Sequence, residues 1–239
     1  MDNKLWICDK LRQGASLPSV ETVRFGNRLF EPYQSAVPGG VRFIILPLRC
    51  SRRSMDVVET ETARIPTVGL GTWQNTGTEC TQTVRTALET GYRHIDTAQQ
   101  YDNENAVGRG LEQAEVERDE IFLTTKLWRS NLHYDDVIES VEESLGRLQV
   151  DYIDLLLIHW PHPRVPVEET LEAMVELSNR GMIRHIGVSN FTLPQLKTAR
   201  ELSEMPVVVN QVLYPPYTKQ PALQQYCPRH GIDLKSSSP

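Results

Sequence analysis

A carboxylate, a phenol, an ammonium and an imidazole stand at or just beyond the ends of short apolar runs: Asp96, Tyr101, Lys126 and His159. Together they suit one task, delivering a proton to a carbonyl oxygen as hydride reaches its carbon. Negative charge develops on that oxygen, so a donor must lie within hydrogen-bond reach. A phenol is a poor donor alone, with an unperturbed pKa of about 10. A neighbouring ammonium favours phenolate and lowers that value, and a carboxylate beside the ammonium keeps it charged and placed. His159 adds a donor able to orient the carbonyl. Taken singly, Lys126 reads equally well as a solvated strand end, His159 as a satisfied core histidine and Tyr101 as a packing residue. Their combination is what points to chemistry.

These groups need strands that end on one side. From Ile65 onward the chain alternates strand-like and helix-like stretches. The strand patterns are Thr67–Trp73, His94–Ala98, Ile121–Leu127, Ile153–Trp160, His185–Asn190 and Val207–Val212, with a seventh opening at Ile232–Leu234. Helical patterns fall between them at Glu79–Thr90, Asn103–Leu111, Tyr134–Leu148, Val167–Arg180, Leu193–Ser203 and Pro221–His230. In the third of these, Val137, Ile138, Val141, Leu145 and Leu148 share one face, as an amphipathic helix requires. Ile153-Asp-Leu-Leu-Leu-Ile is apolar on both faces, which implies burial between an interior and a helix layer. Such units build a parallel sheet covered by helices. No G-x-G-x-x-G follows the first strand, so a (β/α)8 barrel is favoured over an open doubly wound sheet. Asp96, Lys126, His159, Ser189, Asn190 and Gln211 then occupy carboxyl ends of strands, the active face of a barrel.

Composition excludes some partners. The chain of 239 residues carries a formal charge of −6, yet residues 1–54 are +5 and the remainder −11. An acidic body argues against nucleic acid, which needs a basic face. No apolar run approaches the roughly 18 residues of a membrane span, and no signal peptide is evident. Cys8, Cys50, Cys80 and Cys227 show no C-x-x-C pairing, which favours a reducing cytoplasm and no zinc site. Lys126, Lys197, Lys219 and Lys235 are the only lysines after residue 54; a Lys-poor acidic surface fits a salt-rich cytoplasm or an ordinary acidic enzyme. Residues 1–54 lack sustained periodicity and read as a poorly ordered extension, or as sequence upstream of a natural start at Met55.

The motifs resemble those of the aldo-keto reductases. Gly-Leu-Gly-Thr72-Trp73, Asp96-Thr-Ala-Gln-Gln-Tyr101, Thr-Thr-Lys126-Leu-Trp128, Leu-Ile-His159-Trp160-Pro, Gly-Val-Ser189-Asn190-Phe and Val-Asn-Gln211-Val occur in the family's order. The resemblance spans about Ile65 to Leu234 and implies a (β/α)8 barrel, here incomplete at six to seven of eight units, over residues 55–239. It also implies NADP(H) as cofactor, a small-molecule carbonyl as substrate and a monomer when complete. By it, Tyr101 is the acid, Lys126 and Asp96 tune it, and His159 aligns the substrate. Thr72, Trp73, Asp96, Ser189, Asn190 and Gln211 would meet the cofactor. Trp73, Trp128, His159 and Trp160 would line the substrate pocket, a reading favoured for the tryptophans over simply capping a barrel. The short loop between His159 and Ser189 is similar to that of microbial members, including diketo-gluconate reductases. His162 reads as a loop histidine, and no metal is expected.

The pattern departs from the family after Gly231-Ile-Asp-Leu, where Lys235-Ser-Ser-Ser-Pro239 replaces the expected aromatic-Ser-Pro-Leu turn. The expectation is lowered cofactor affinity, since the stacking aromatic and the phosphate-binding segment are not found; a non-catalytic binding or regulatory fragment is the alternative. Val41–Leu48, followed by Arg49, Arg52 and Arg53, is a remote candidate for a substitute eighth strand with a phosphate site.

Overall fold

The alternation seen in the sequence becomes a curled, parallel sheet in a computed structural model that describes residues 56–213 and 220–236. Two short strands come first, β1 (Val57–Glu59) and β2 (Arg64–Pro66), paired antiparallel. Then follow β3 (Leu70–Gly71), α1 (Gly77–Glu89), β4 (His94–Asp96), α2 (Glu104–Gln113), β5 (Phe122–Leu127), α3 (Tyr134–Leu148) and β6 (Ile153–Ile158). The rest are α4 (Val167–Asn179), β7 (Ile183–Ser189), α5 (Leu193–Leu202), β8 (Val207–Val212), α6 (Pro221–Tyr226) and β9 (Asp233–Ser236). β3 to β9 form a seven-stranded sheet in chain order, every pair parallel.

The sheet is rolled rather than flat. β4 and β9 are five strands apart in that order, which on a flat sheet places them about 24 Å from each other. Instead, the Lys235 ammonium of β9 lies 2.5 Å from the Asp96 carboxylate of β4. Only curling brings the two into one interior. The incomplete (β/α)8 fold is therefore as expected, with seven parallel strands present.

Alternation along each strand divides the core in two. Leu155 and Leu157, on one face of β6, cluster with Val208, Val209, Ala63 and Ile65, so the β1–β2 hairpin carries an isoleucine into the lumen. Leu156, Ile158, Val137, Val141, Leu171 and Met174 join the layer between strands and helices. Gly187 sits inward where a β-carbon would stand 2.6 Å from the Leu157 side chain; leucine fills the lumen only because glycine yields.

Several element limits differ from the sequence patterns. Thr67–Trp73 is strand only at Leu70–Gly71, because Thr67 turns back to donate its N–H and hydroxyl to the Asp56 carbonyl, both at 2.9 Å. The sixth strand stops at Ile158, two residues short of Trp160. The last helical pattern breaks after Tyr226 into a single turn at Pro228–His230, since Pro228 has no N–H to continue the ladder. Residues 1–54, Met55 and Val41–Leu48 lie outside the described residues. Among those described, no helix is long and apolar enough to cross a membrane.

Packing of α2 on α3 yields a test. A β-carbon at Gly108 would stand 2.6 Å from the Leu148 carbonyl oxygen and 2.7 Å from that of Arg147. Backbone cannot step aside as a side chain can, so Gly108→Ala should cost about 1–3 kcal/mol. Urea denaturation measures it; a midpoint equal to that of the parent protein would disprove this account of the helix pair.

Candidate active site

Tyr101 is held by a turn rather than by a strand. After β4 the chain forms one 3-10 turn, Gln99–Tyr101, closed by Asp102 in the left-handed region at φ 51°. Gln99 fixes the turn from both ends of its amide: its oxygen accepts the Trp128 N–H at 2.8 Å and Asn131 Nδ2 at 3.2 Å. Its nitrogen donates to Ser140 O and Ser144 Oγ, both at 3.2 Å. Asn103, buried, donates to the Thr72 and Asn75 carbonyls at 2.8 and 2.7 Å and accepts the Thr97 hydroxyl at 2.9 Å. Neither amide was singled out in the sequence, because the partners lie up to 45 residues away.

Lys126 is the hub. It points inward from β5, only 1% exposed, and its ammonium donates to Asp96 Oδ1, to the Thr97 carbonyl at 2.8 Å and to the Tyr101 hydroxyl at 3.3 Å. Burial opposes its charge, but Asp96 and Tyr101 outweigh burial and hold the group above the ordinary lysine value. Burial likewise works against the Asp96 carboxylate; the ammoniums of Lys126 and Lys235 override it and keep Asp96 well below the usual carboxylate range. Its Oδ2 accepts Gln211 Nε2 at 2.7 Å and Lys235 Nζ at 2.5 Å.

His159 stands edge-on to Tyr101 and to Trp128, with ring centroids 5.8 and 5.4 Å away. Burial, and then the Lys126 charge, lower its pKa to about 4, so it is a neutral imidazole near pH 7. Its Nδ1 is buried with no hydrogen-bond partner among the described residues. An orphaned polar atom beside a proton donor suits a site that completes its bonds with a ligand.

Ser189, Asn190 and Gln211 gather at neighbouring ends of β7 and β8, Ser189 in register with Gln211. Asn190 has φ 62°, a left-handed conformation for a residue with a β-carbon, held because its Nδ2 donates to the His159 carbonyl at 2.9 Å and to Ser189 Oγ at 3.0 Å. Backbone strain of this kind gathers where a site must be shaped. A hydroxyl and two amides on one rim beside the phenol fit the carboxamide end of a nicotinamide.

The structure therefore unites Asp96, Tyr101, Lys126 and His159, with Gln211 and Asn190 bonded into the same network. Thr72 joins through its hydroxyl and N–H, both directed to the Asp96 carbonyl at 3.3 and 3.0 Å. Trp128 meets His159, whereas Trp73 and Trp160 are 58% and 39% exposed. Trp160 lies under Arg129, 5.1 Å from its ring; among the described residues no ring contact joins it or Trp73 to the central four. His162 accepts the backbone N–H groups of Arg164 and Val165 at 3.1 and 2.9 Å, a loop histidine as expected. Lys235, bonded to Asp96 from β9, is a charged member of this network that the sequence reading did not include.

The sequence and the fold both have relatives among known proteins. The sequence profile described as "Aldo/keto reductase family" matches residues 67–239. Methylglyoxal reductase DkgB of Salmonella typhi is 43% identical over 175 residues, covering 72% of this chain and 66% of that protein. Glyoxal reductase of Bacillus subtilis (strain 168) is 42% identical over 176 residues, covering 73% and 63%. The chain thus spans somewhat less than two thirds of the length of these curated relatives. A structure described as a 2,5-diketo-D-gluconic acid reductase B shares 42% identity with a TM-score of 0.73, covering 76% of this chain and 66% of its own. The Bombyx mori aldo-keto reductase in complex with NADP shares 36% identity with a TM-score of 0.72, covering 77% and 66%.

Proposed function

Because the chain belongs to the aldo/keto reductase family, we propose that it reduces aldehyde and ketone carbonyls to alcohols with NADP(H), small dicarbonyls and sugar-derived carbonyls among them. The observation that carries this reading is the single ammonium of Lys126 touching both the Asp96 carboxylate and the Tyr101 phenol.

Ser189, Asn190 and Gln211 would hold the carboxamide of a bound nicotinamide, which would supply the hydride. The carbonyl oxygen gains negative charge as its carbon is reduced. Tyr101 passes its hydroxyl proton to that oxygen, and Lys126 stabilises the phenolate left behind. Asp96 keeps Lys126 charged inside a buried site. His159, neutral at physiological pH, orients the carbonyl through its one N–H. Trp128, edge-on to His159, supports an apolar wall for the substrate. The names of the similar reductases direct the choice of substrate: one reduces methylglyoxal and another glyoxal. Cys80 and Cys227, buried and unpaired, support a cytoplasmic location, and a monomer is proposed for the complete barrel.

The test is consumption of NADPH by the purified chain with millimolar methylglyoxal or glyoxal, paired with a fluorescence titration of the cofactor. Aldehyde-dependent oxidation with saturable cofactor binding is the expected result. Absence of binding at millimolar NADPH would instead support the non-catalytic alternative.

A further inference from the structure

The charge at the centre of the site is not the one the family resemblance implies, because a second ammonium enters it from β9. Lys235 pairs in register with Gln211 and reaches across the lumen to Asp96 Oδ2 at 2.5 Å and to His94 Nε2 at 3.1 Å. The tautomer of His94 follows from its partners. Its Nδ1 lies 3.2 Å from the Pro66 carbonyl, which can only accept, so Nδ1 carries the proton. Nε2 then accepts from the Thr124 hydroxyl at 3.1 Å and from Lys235. The groups facing this imidazole are Lys235 from β9, Asp96 from its own strand, and Lys126 and Thr124 from β5. Lys235 is thus a charged strut between β9 and β4.

We propose that Lys235 is a positioning residue of the carbonyl-reducing site: with Gln211 it occupies Oδ2 of Asp96, leaves only Oδ1 to Lys126, and so keeps the Lys126 ammonium against Tyr101. This rests on the functional reading above. The physical reason is competition for one carboxylate. Lys126 has a carboxylate on one side and a neutral phenol oxygen, 3.3 Å away, on the other. If both carboxylate oxygens were free to turn towards it, charge attraction would draw the ammonium off the phenol. A cation and an amide on Oδ2 prevent that rotation. The sheet explains why β9 supplies the strut, since curling makes its inward side chains face β4.

The test uses Lys235→Ala and Lys235→Met, the second retaining most of the volume, with circular dichroism verifying the fold of each. Three readouts separate positioning from packing. The first is the His94 titration by NMR in the cofactor-free protein. Burial and then the Lys235 charge hold His94 near a pKa of about 3; without Lys235 its titration should move upward by about one pH unit or more. The second is turnover, where kcat with methylglyoxal should fall roughly 10- to 100-fold, as expected when a catalytic group is misplaced by about 1 Å, with KM changed little. The third is chemical rescue: propylammonium should restore kcat of Lys235→Ala saturably and leave Lys235→Met unaffected. Unchanged His94 titration in a folded variant overturns the proposal, as does a moved titration with unchanged kcat, or a loss that propylammonium does not recover. If the unsubstituted chain turns over no aldehyde, the functional reading fails. The positional claim is then decided by NMR contact between the Lys126 side chain and the Tyr101 ring: loss of that contact in the variants upholds it and persistence refutes it.

Discussion

Tyr101→Phe is expected to lower kcat for methylglyoxal roughly 10²- to 10⁴-fold, the range attributed to loss of a placed acid, while leaving the fold intact. Phenylalanine fills the same volume, and the turn that carries it is closed by backbone bonds and by the Gln99 amide rather than by the hydroxyl. What disappears is the proton source and one of three acceptors for the Lys126 ammonium. Lys126 retains Asp96 and the Thr97 carbonyl, so the buried charge is not stranded. Steady-state kinetics with NADPH, together with a thermal melt, measure both effects. Parent-like turnover would remove Tyr101 from its role, whatever the geometry around it.

That prediction could be framed from sequence because a parallel sheet makes position meaningful. Residues at carboxyl ends of strands share one rim, so Asp96, Lys126, His159, Ser189 and Gln211 could be gathered before any distance was known. Other features resisted for identifiable reasons. The β1–β2 hairpin has strands of three residues, too short for alternation to register. Glu104 was not singled out in the sequence; in the fold it is buried, bonded to Thr125 at 2.6 Å and to Arg147 at 2.9 Å. That pairing belongs to three different elements, and no local pattern announces it. Lys235 sits in a Ser-rich run without periodicity, and its meaning depends on how tightly the sheet rolls. Sequence spacing indicates which face of a strand a residue occupies; curvature decides which strand it meets.

The second large effect concerns stability, and it follows from the same charges. Asp96→Asn removes the carboxylate shared by two ammoniums, one 1% and the other 19% exposed at the side chain. An amide keeps the shape and can still accept, but it cannot offset buried positive charge. Removing one partner of a buried pair typically costs about 3–5 kcal/mol, and here one substitution strands two. Urea denaturation at pH 7 should show a loss of that order. The pH dependence supplies a sharper check. Asp96 is held below its unfolded value in the native state, so its contribution is fully present above about pH 4–5. It is lost as pH falls through and below the unfolded carboxylate pKa of about 3.9, towards the depressed native value. A protonated aspartic acid resembles asparagine in charge. The stability gap between parent and variant should therefore narrow steadily as pH drops from about 5, while at neutral pH it stays constant. A gap independent of pH down to the acid limit of folding would mean that the carboxylate charge is not what holds Lys126 and Lys235 in place, and the electrostatic account of the site would fail with it.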